Sequence, residues 1–193
     1  SIYLKAGPER PVLNGHPWVF SGAIERVEGE GKSPEVVDVY DHKKTWLARG
    51  FYNPKSQIRA RLLTWRKEEI DSGFFSRRLS YALAFRRAHL PSSTTAYRII
   101  NGEGDFLPGL IIDRYGGFLV CQIFSAGMAL FKDDIVDYLS SLDSIEGVFE
   151  RSEGRIGDDE GLEAAVGVLS GAAPPDLISI QESTFKFLVD LRR

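Results

Sequence analysis

Up to Trp65 the chain sets short apolar runs between glycine, proline and asparagine about every ten residues, as in WVFSGAI, EVVDVYD, TWLARGFY and IRARLLTW. In the last run Ile58, Ala60 and Leu62 alternate with Arg59 and Arg61, the period of two expected of a strand with one buried face. Several short strands at this spacing predict a small β-barrel or sandwich, with Arg59 and Arg61 together on its outer face. The period then changes. Ser72 to Leu90 contains no proline, and Asp71 or Ser72 can cap a helix there. Phe75, Leu79, Ala82, Leu83 and Leu90 form one apolar stripe at helical spacing, and Phe74, Tyr81 and Phe85 form a second. A helix apolar on two faces is expected to be buried on two sides, here wedged between two modules.

Beyond Pro91 the pattern returns to strands at Tyr97–Asn101, Leu110–Arg114 and Phe118–Phe124, with Gly116-Gly117 as a tight turn between the last two. Ser125 can cap a helix in which Met128, Phe131, Ile135, Leu139 and Leu142 recur every three to four residues. A strand follows at Val148–Glu150. The acidic, glycine-rich stretch from Ser152 to Gly161 reads as an exposed loop. Leu177–Ile180 and Phe185–Asp190 predict a hairpin around Glu182-Ser183. The fold class expected is therefore α+β and mostly β, with the boundary between the two modules placed at residues 1–68 and 69–193.

Composition adds an asymmetry. Up to Arg98 there are 17 Lys and Arg against 10 Asp and Glu, and beyond it 7 against 17, within a net charge of -3. Modules of opposite sign suggest different partners, the basic one suiting a polyanion. The acidic half supports an alternative, a module that docks another protein. No apolar run approaches the roughly 20 residues of a membrane helix, and SIYLKAGPER lacks the apolar stretch of a signal peptide. The single cysteine, Cys121, excludes an internal disulfide and a multi-cysteine zinc site, which fits a reducing cytoplasm.

Candidate chemistry is sparse. Asn101-Gly102-Glu103-Gly104-Asp105 resembles a phosphate-cradling turn, but Leu107-Pro108-Gly109 leads on into a strand, so a tight turn is expected instead. His16, His42 and His89 lack metal-ligand spacing. Cys121 reads as a small core residue, and no catalytic, cofactor or metal site is expected. The positive signal concerns nucleic acid. Arg59 and Arg61 on a rigid strand can hold phosphates bidentately, with Lys5 and Lys55 as further basic candidates. Aromatic residues are interleaved among them, Trp18 included, and exposed rings can stack on unpaired bases.

GHPWVFSGAI, WLARGFYNPKSQIRARLLTW, RIINGEGDFLPGLIIDRYGGFLVCQIFSAG, VFERSEG and FLVDLRR, in this order, resemble the ribosomal RNA large-subunit cytosine-C5 methyltransferases. The resemblance implies an N-terminal PUA-like β-barrel, a linking helix and a small ββαββ-type domain. It further implies a Rossmann-like catalytic domain that binds S-adenosylmethionine, expected to be missing here because the sequence stops soon after the Phe185–Val189 strand. The chain is accordingly expected to bind and position ribosomal RNA, to be inactive alone and to hold no cofactor. Its assembly is open to a homodimer. His16, Trp18, Arg59 and Arg61 match the family pattern. Ala6-Gly7-Pro8-Glu9 and Asn14-Gly15 stand where relatives carry basic runs, and Gly157-Asp158-Asp159 replaces a basic loop.

Overall fold

The computed structural model describes residues 1–29, 34–153 and 160–192. The first module comprises β1 (Ile2–Leu4), α1 (Glu9–Leu13), β2 (Trp18–Phe20), β3 (Ile24–Val27), β4 (Glu35–Tyr40), β5 (Trp46–Tyr52) and β6 (Ile58–Thr64). Its six strands run in the order β2-β6-β5-β4-β1-β3. The edge strands β2 and β3 are joined by one 3-10 turn, Ser21–Ala23, so the sheet has to curl until its two edges nearly meet. Backbone hydrogen bonds from Lys5 N to Ala23 O and from Ser21 N to Gln57 O, both 3.0 Å, tie that turn to its neighbours. The expected barrel-like module is therefore present. Its interior takes Ile2, Leu4, Val37, Val39, Ala60 and Leu62, the inward positions of alternating strands.

A helix, α2 (Ser72–His89), follows, and the Asp71 carboxylate at its N-cap accepts from Phe74 N at 2.7 Å. Phe75, Leu79, Ala82 and Leu83 of the first stripe are buried and Leu90 is half-buried. Of the second stripe only Phe74 is buried; Tyr81 is 75% and Phe85 47% exposed. The helix thus buries one face, and the ring of Phe85 instead stacks on His89 with centroids 4.2 Å apart.

The second module contains β7 (Ala96–Asn101), β8 (Leu110–Tyr115), β9 (Phe118–Ile123), α3 (Ala126–Ala129), α4 (Lys132–Ser140), β10 (Gly147–Ser152) and β11 (Ala165–Gly171). Its sheet order is β11-β10-β9-β8-β7, with β9 and β10 parallel and the other pairs antiparallel. Three strands precede the helical crossover and two follow it, in place of the expected ββαββ pattern. A parallel neighbour needs a long crossover, and α3 with α4 supplies it. The expected continuous helix is broken in two between them. Its apolar period survives the break: Met128, Ile135 and Leu139 are buried, and Phe131 and Leu142 pack against the same core.

Strand β9 is apolar except for Gln122, because both its faces are covered. Leu119, Cys121 and Ile123 join the core beneath the helices, while Phe118 and Val120 meet Ile178, Ile180 and Leu191. Ile178 and Ile180 lie on β12 (Ile178–Glu182), which pairs with β13 (Phe185–Val189) in the expected hairpin. The modules share a core, since Phe51 and Leu63 of the first join the cluster built on α2 and the second sheet. Gly127 seals this contact. A Cβ there would lie 2.1 Å from Phe51 Cγ, so only glycine allows α3 to approach the ring.

Candidate nucleic-acid interface

The shared core changes the surroundings of β6. Its second face, expected to be outward, is covered by the other module, and Arg61 is buried. Arg61 is consequently not a solvent-facing phosphate clamp. Its Nη2 donates to Glu160 Oε1 at 2.7 Å, with 9% and 2% of the two side chains exposed. Glu160 also accepts from Asn53 Nδ2 at 3.0 Å. Burial pushes the Glu160 carboxyl up, but hydrogen bonds from Ser56, Arg61 and Asn53 and the charge of Arg61 outweigh it and hold the group below the usual carboxylate range. The expectation of an exposed acidic loop is thereby corrected at two described positions, since Ser152 and Glu160 are both buried. Residues 154–159 of that stretch, including the Gly157-Asp158-Asp159 departure, lie outside the described residues.

Above this pair the modules leave a cleft of about 580 Å³. Trp18 and Arg61 enter it as cross-strand neighbours of β2 and β6, and Lys55 enters from the β5–β6 loop. The opposite wall is the 3-10 turn Gly102–Asp105 with the start of β8 and the end of β9. Trp18 Nε1 donates to Glu103 Oε1 at 2.9 Å, and the same oxygen lies 4.0 Å from Arg61 Nη1. A turn at residues 101–105 was expected and is found. It leads through Gly109 into β8 and not into a helix, so it does not form the glycine-rich strand-to-helix turn of a nucleotide or S-adenosylmethionine site, and no methyl-transfer step follows from it. Gly109 itself is required there, with φ +85° and the Ser125 hydroxyl 2.6 Å from where a Cβ would sit.

The other expected contacts scatter. His16 is exposed, its Nδ1 accepting from Trp18 N at 3.1 Å and its ring meeting Trp18 edge-on at 5.8 Å. Phe20, 49% exposed, also meets the indole edge-on, with centroids 6.1 Å apart. Lys5 is exposed and its Nζ donates to Gly22 O at 2.9 Å, while half-buried Arg59 stands outside the cleft lining. The structure therefore joins Trp18, Lys55 and Arg61 in one site, sets His16 beside it, and leaves Lys5 and Arg59 apart. Glu103 and Glu160 were missed because each sits in a stretch that reads only as turn or loop. Cys121 is a fully buried core residue whose thiol is pushed up to about 12, chiefly by burial and then by the Glu150 charge. Among the described residues no cluster of His, Cys, Asp and Glu could hold a metal, and no helix is long and apolar enough to cross a membrane.

A curled PUA-like sheet joined to an α+β module across a cleft is the class this geometry defines, and residues 2–65 match the PUA-like domain family. Over 99% of its length the chain is 44% identical to the Ribosomal RNA large subunit methyltransferase I of Klebsiella pneumoniae subsp. pneumoniae, covering 48% of that protein. It is 46% identical over the same share to the enzyme of the same name from Photobacterium profundum, covering 49% of it. A solved structure from Streptococcus mutans, described as a SAM-dependent methyltransferase, matches with TM-score 0.79 at 21% identity, covering 99% of this chain and 49% of that one. A methyltransferase structure complexed with SAH matches with TM-score 0.81 at 20% identity, covering 98% of this chain and 47% of that one. These two likenesses speak for the fold alone. The chain spans about half the length of the curated relatives it matches. The expectation of a protein without a catalytic domain does not stand, since that share leaves the relatives' other half uncompared.

Proposed function

We propose that this chain is the RNA-binding and substrate-positioning part of an S-adenosylmethionine-dependent ribosomal RNA methyltransferase. The reading extends to action in the cytoplasm on cytosine C5 of the large-subunit RNA, as the sequence blocks imply. The observation that carries it is the cleft in which Trp18, Lys55 and Arg61 meet between a PUA-like sheet and a second module. The names of the two curated relatives, both Ribosomal RNA large subunit methyltransferase I, support the same partner. The test is affinity for a ribosomal RNA fragment as a function of salt, comparing the wild type with Lys55→Glu/Arg59→Glu. Both changes are outside the buried Arg61–Glu160 pair, so the fold is retained. The expected log–log slope is about -2 or steeper for the wild type and shallower by about 1 for each phosphate contact the variant loses. Equal slopes would remove this face from the RNA-binding surface.

A second reading, docking of another protein by the second module, is favoured by the exposure of Val166, Phe185 and Leu188 at 55%, 67% and 67%. A pull-down complex that survives nuclease treatment would support it; loss of every captured protein on nuclease treatment would count against it.

A further inference from the structure

We propose that the cleft between the modules takes a single unpaired nucleobase, stacked on Trp18 with its hydrogen-bonding edge turned to Glu103 and Arg61. The inference rests on the RNA-binding reading and adds to it what the cleft interior selects. A cleft of about 580 Å³ has ample room for a base with its sugar, and much of the wall is apolar, from Ile58, Leu110, Ile111 and Phe124. The charges inside cancel, with Lys55 and Arg61 against Glu103 and Glu160. A phosphate would be repelled by the two carboxylates as much as it is drawn by the two cations. A base is neutral, flat and polar only at its edge, and suits such a site better.

The polar groups are also paired for it. Every Watson–Crick edge sets an N–H donor next to an acceptor. On the cleft wall a carboxylate oxygen of Glu103 and a guanidinium nitrogen of Arg61 stand 4.0 Å apart, acceptor beside donor. Trp18 uses one of the roughly four lone-pair positions of the Glu103 carboxylate, which leaves acceptor capacity for a ligand. Arg61 lines the cleft with its side chain nine-tenths buried, and its Nε–H is a buried donor without an acceptor among the described residues. Proteins rarely leave such a donor unmet, and a base carbonyl or ring nitrogen would meet it. In a duplex the same edge is already consumed by pairing, so the cleft selects unpaired nucleotides of any identity.

The experiment compares three RNA hairpins by fluorescence anisotropy with the intact chain: one with a single-nucleotide bulge, one with the bulge deleted, and one with the bulge made abasic. Roughly tenfold tighter binding of the bulged hairpin than of the other two is expected, the size of one base–aromatic stack. Trp18→Phe and Glu103→Ala are expected to shrink that ratio while leaving the salt slope unchanged, because phosphate contacts lie elsewhere. The wild-type comparison needs no variant and stands even if one of them folds poorly. Equal affinity for the three hairpins with a retained salt slope would overturn the base slot and leave the RNA-binding reading intact. Absence of binding to any of them would sink the RNA-binding reading, and this inference with it.

Discussion

Arg61 and Glu160 form a buried ion pair between residues far apart in the chain, and its energetics differ from those of a surface pair. Two desolvated charges attract strongly, but either one left alone is costly. Glu160→Gln keeps the shape, leaves the guanidinium uncompensated, and is expected to destabilise the protein by about 3 kcal/mol in urea unfolding at neutral pH. The pH dependence follows from the lowered pKa. A depressed folded-state value means the contribution is present above the ordinary value of 4.5 and is lost as pH falls through the folded value. The stability difference between wild type and Glu160→Gln should therefore shrink below pH 4.5; a difference that held constant into stronger acid would contradict the ion pair. Cys121 offers a second check. Fully buried and with its thiol raised, it should resist a thiol reagent at pH 8 in the native protein and react at once in denaturant. Rapid native labelling would contradict its place in the core.

Elements were legible where one rule decided them. Helix α2 was readable because Asp71 caps it and its first apolar stripe keeps helical spacing, and Gly116-Gly117 marked the β8–β9 turn. What failed were readings that took apolarity for burial. Tyr81 and Phe85 look like a second core stripe, yet they face solvent on a helix with four arginines and no acidic residue. Strand β11 was not anticipated: it is an edge strand whose Val166 and Val168 point outward, so the alternation of polar and apolar residues that signals a strand is missing. The break between α3 and α4 was hidden by an apolar period that runs across it. Gly127→Ala tests the element contact that closes the modules. With no room for a methyl group beside Phe51, it should cost about 2 kcal/mol, read as a lowered Tm. An unchanged Tm would mean the contact is looser than described.

At the scale of the whole molecule, the cleft was the part the sequence could not display. Its defining contacts, Trp18 with Glu103 and Arg61 with Glu160, join residues 85 and 99 positions apart. Alternation on β6 correctly put Arg59 and Arg61 on the face opposite Ala60 and Leu62, but no local pattern says that a second module covers that face. Charge asymmetry between the halves pointed to a polyanion, and the inference drawn from the cleft refines where it would lie: a base within the neutral interior, phosphates outside it. The exposed, arginine-rich face of α2 is the competing location for RNA on this molecule. Photo-cross-linking of a bulged ribosomal RNA fragment carrying a photoreactive base, with the modified peptides mapped by mass spectrometry, separates the two. Cross-links to Trp18, Lys55 and residues 101–111 are the result expected here. Cross-links confined to Arg77, Tyr81 and Arg87 on α2 would contradict the cleft as the RNA site.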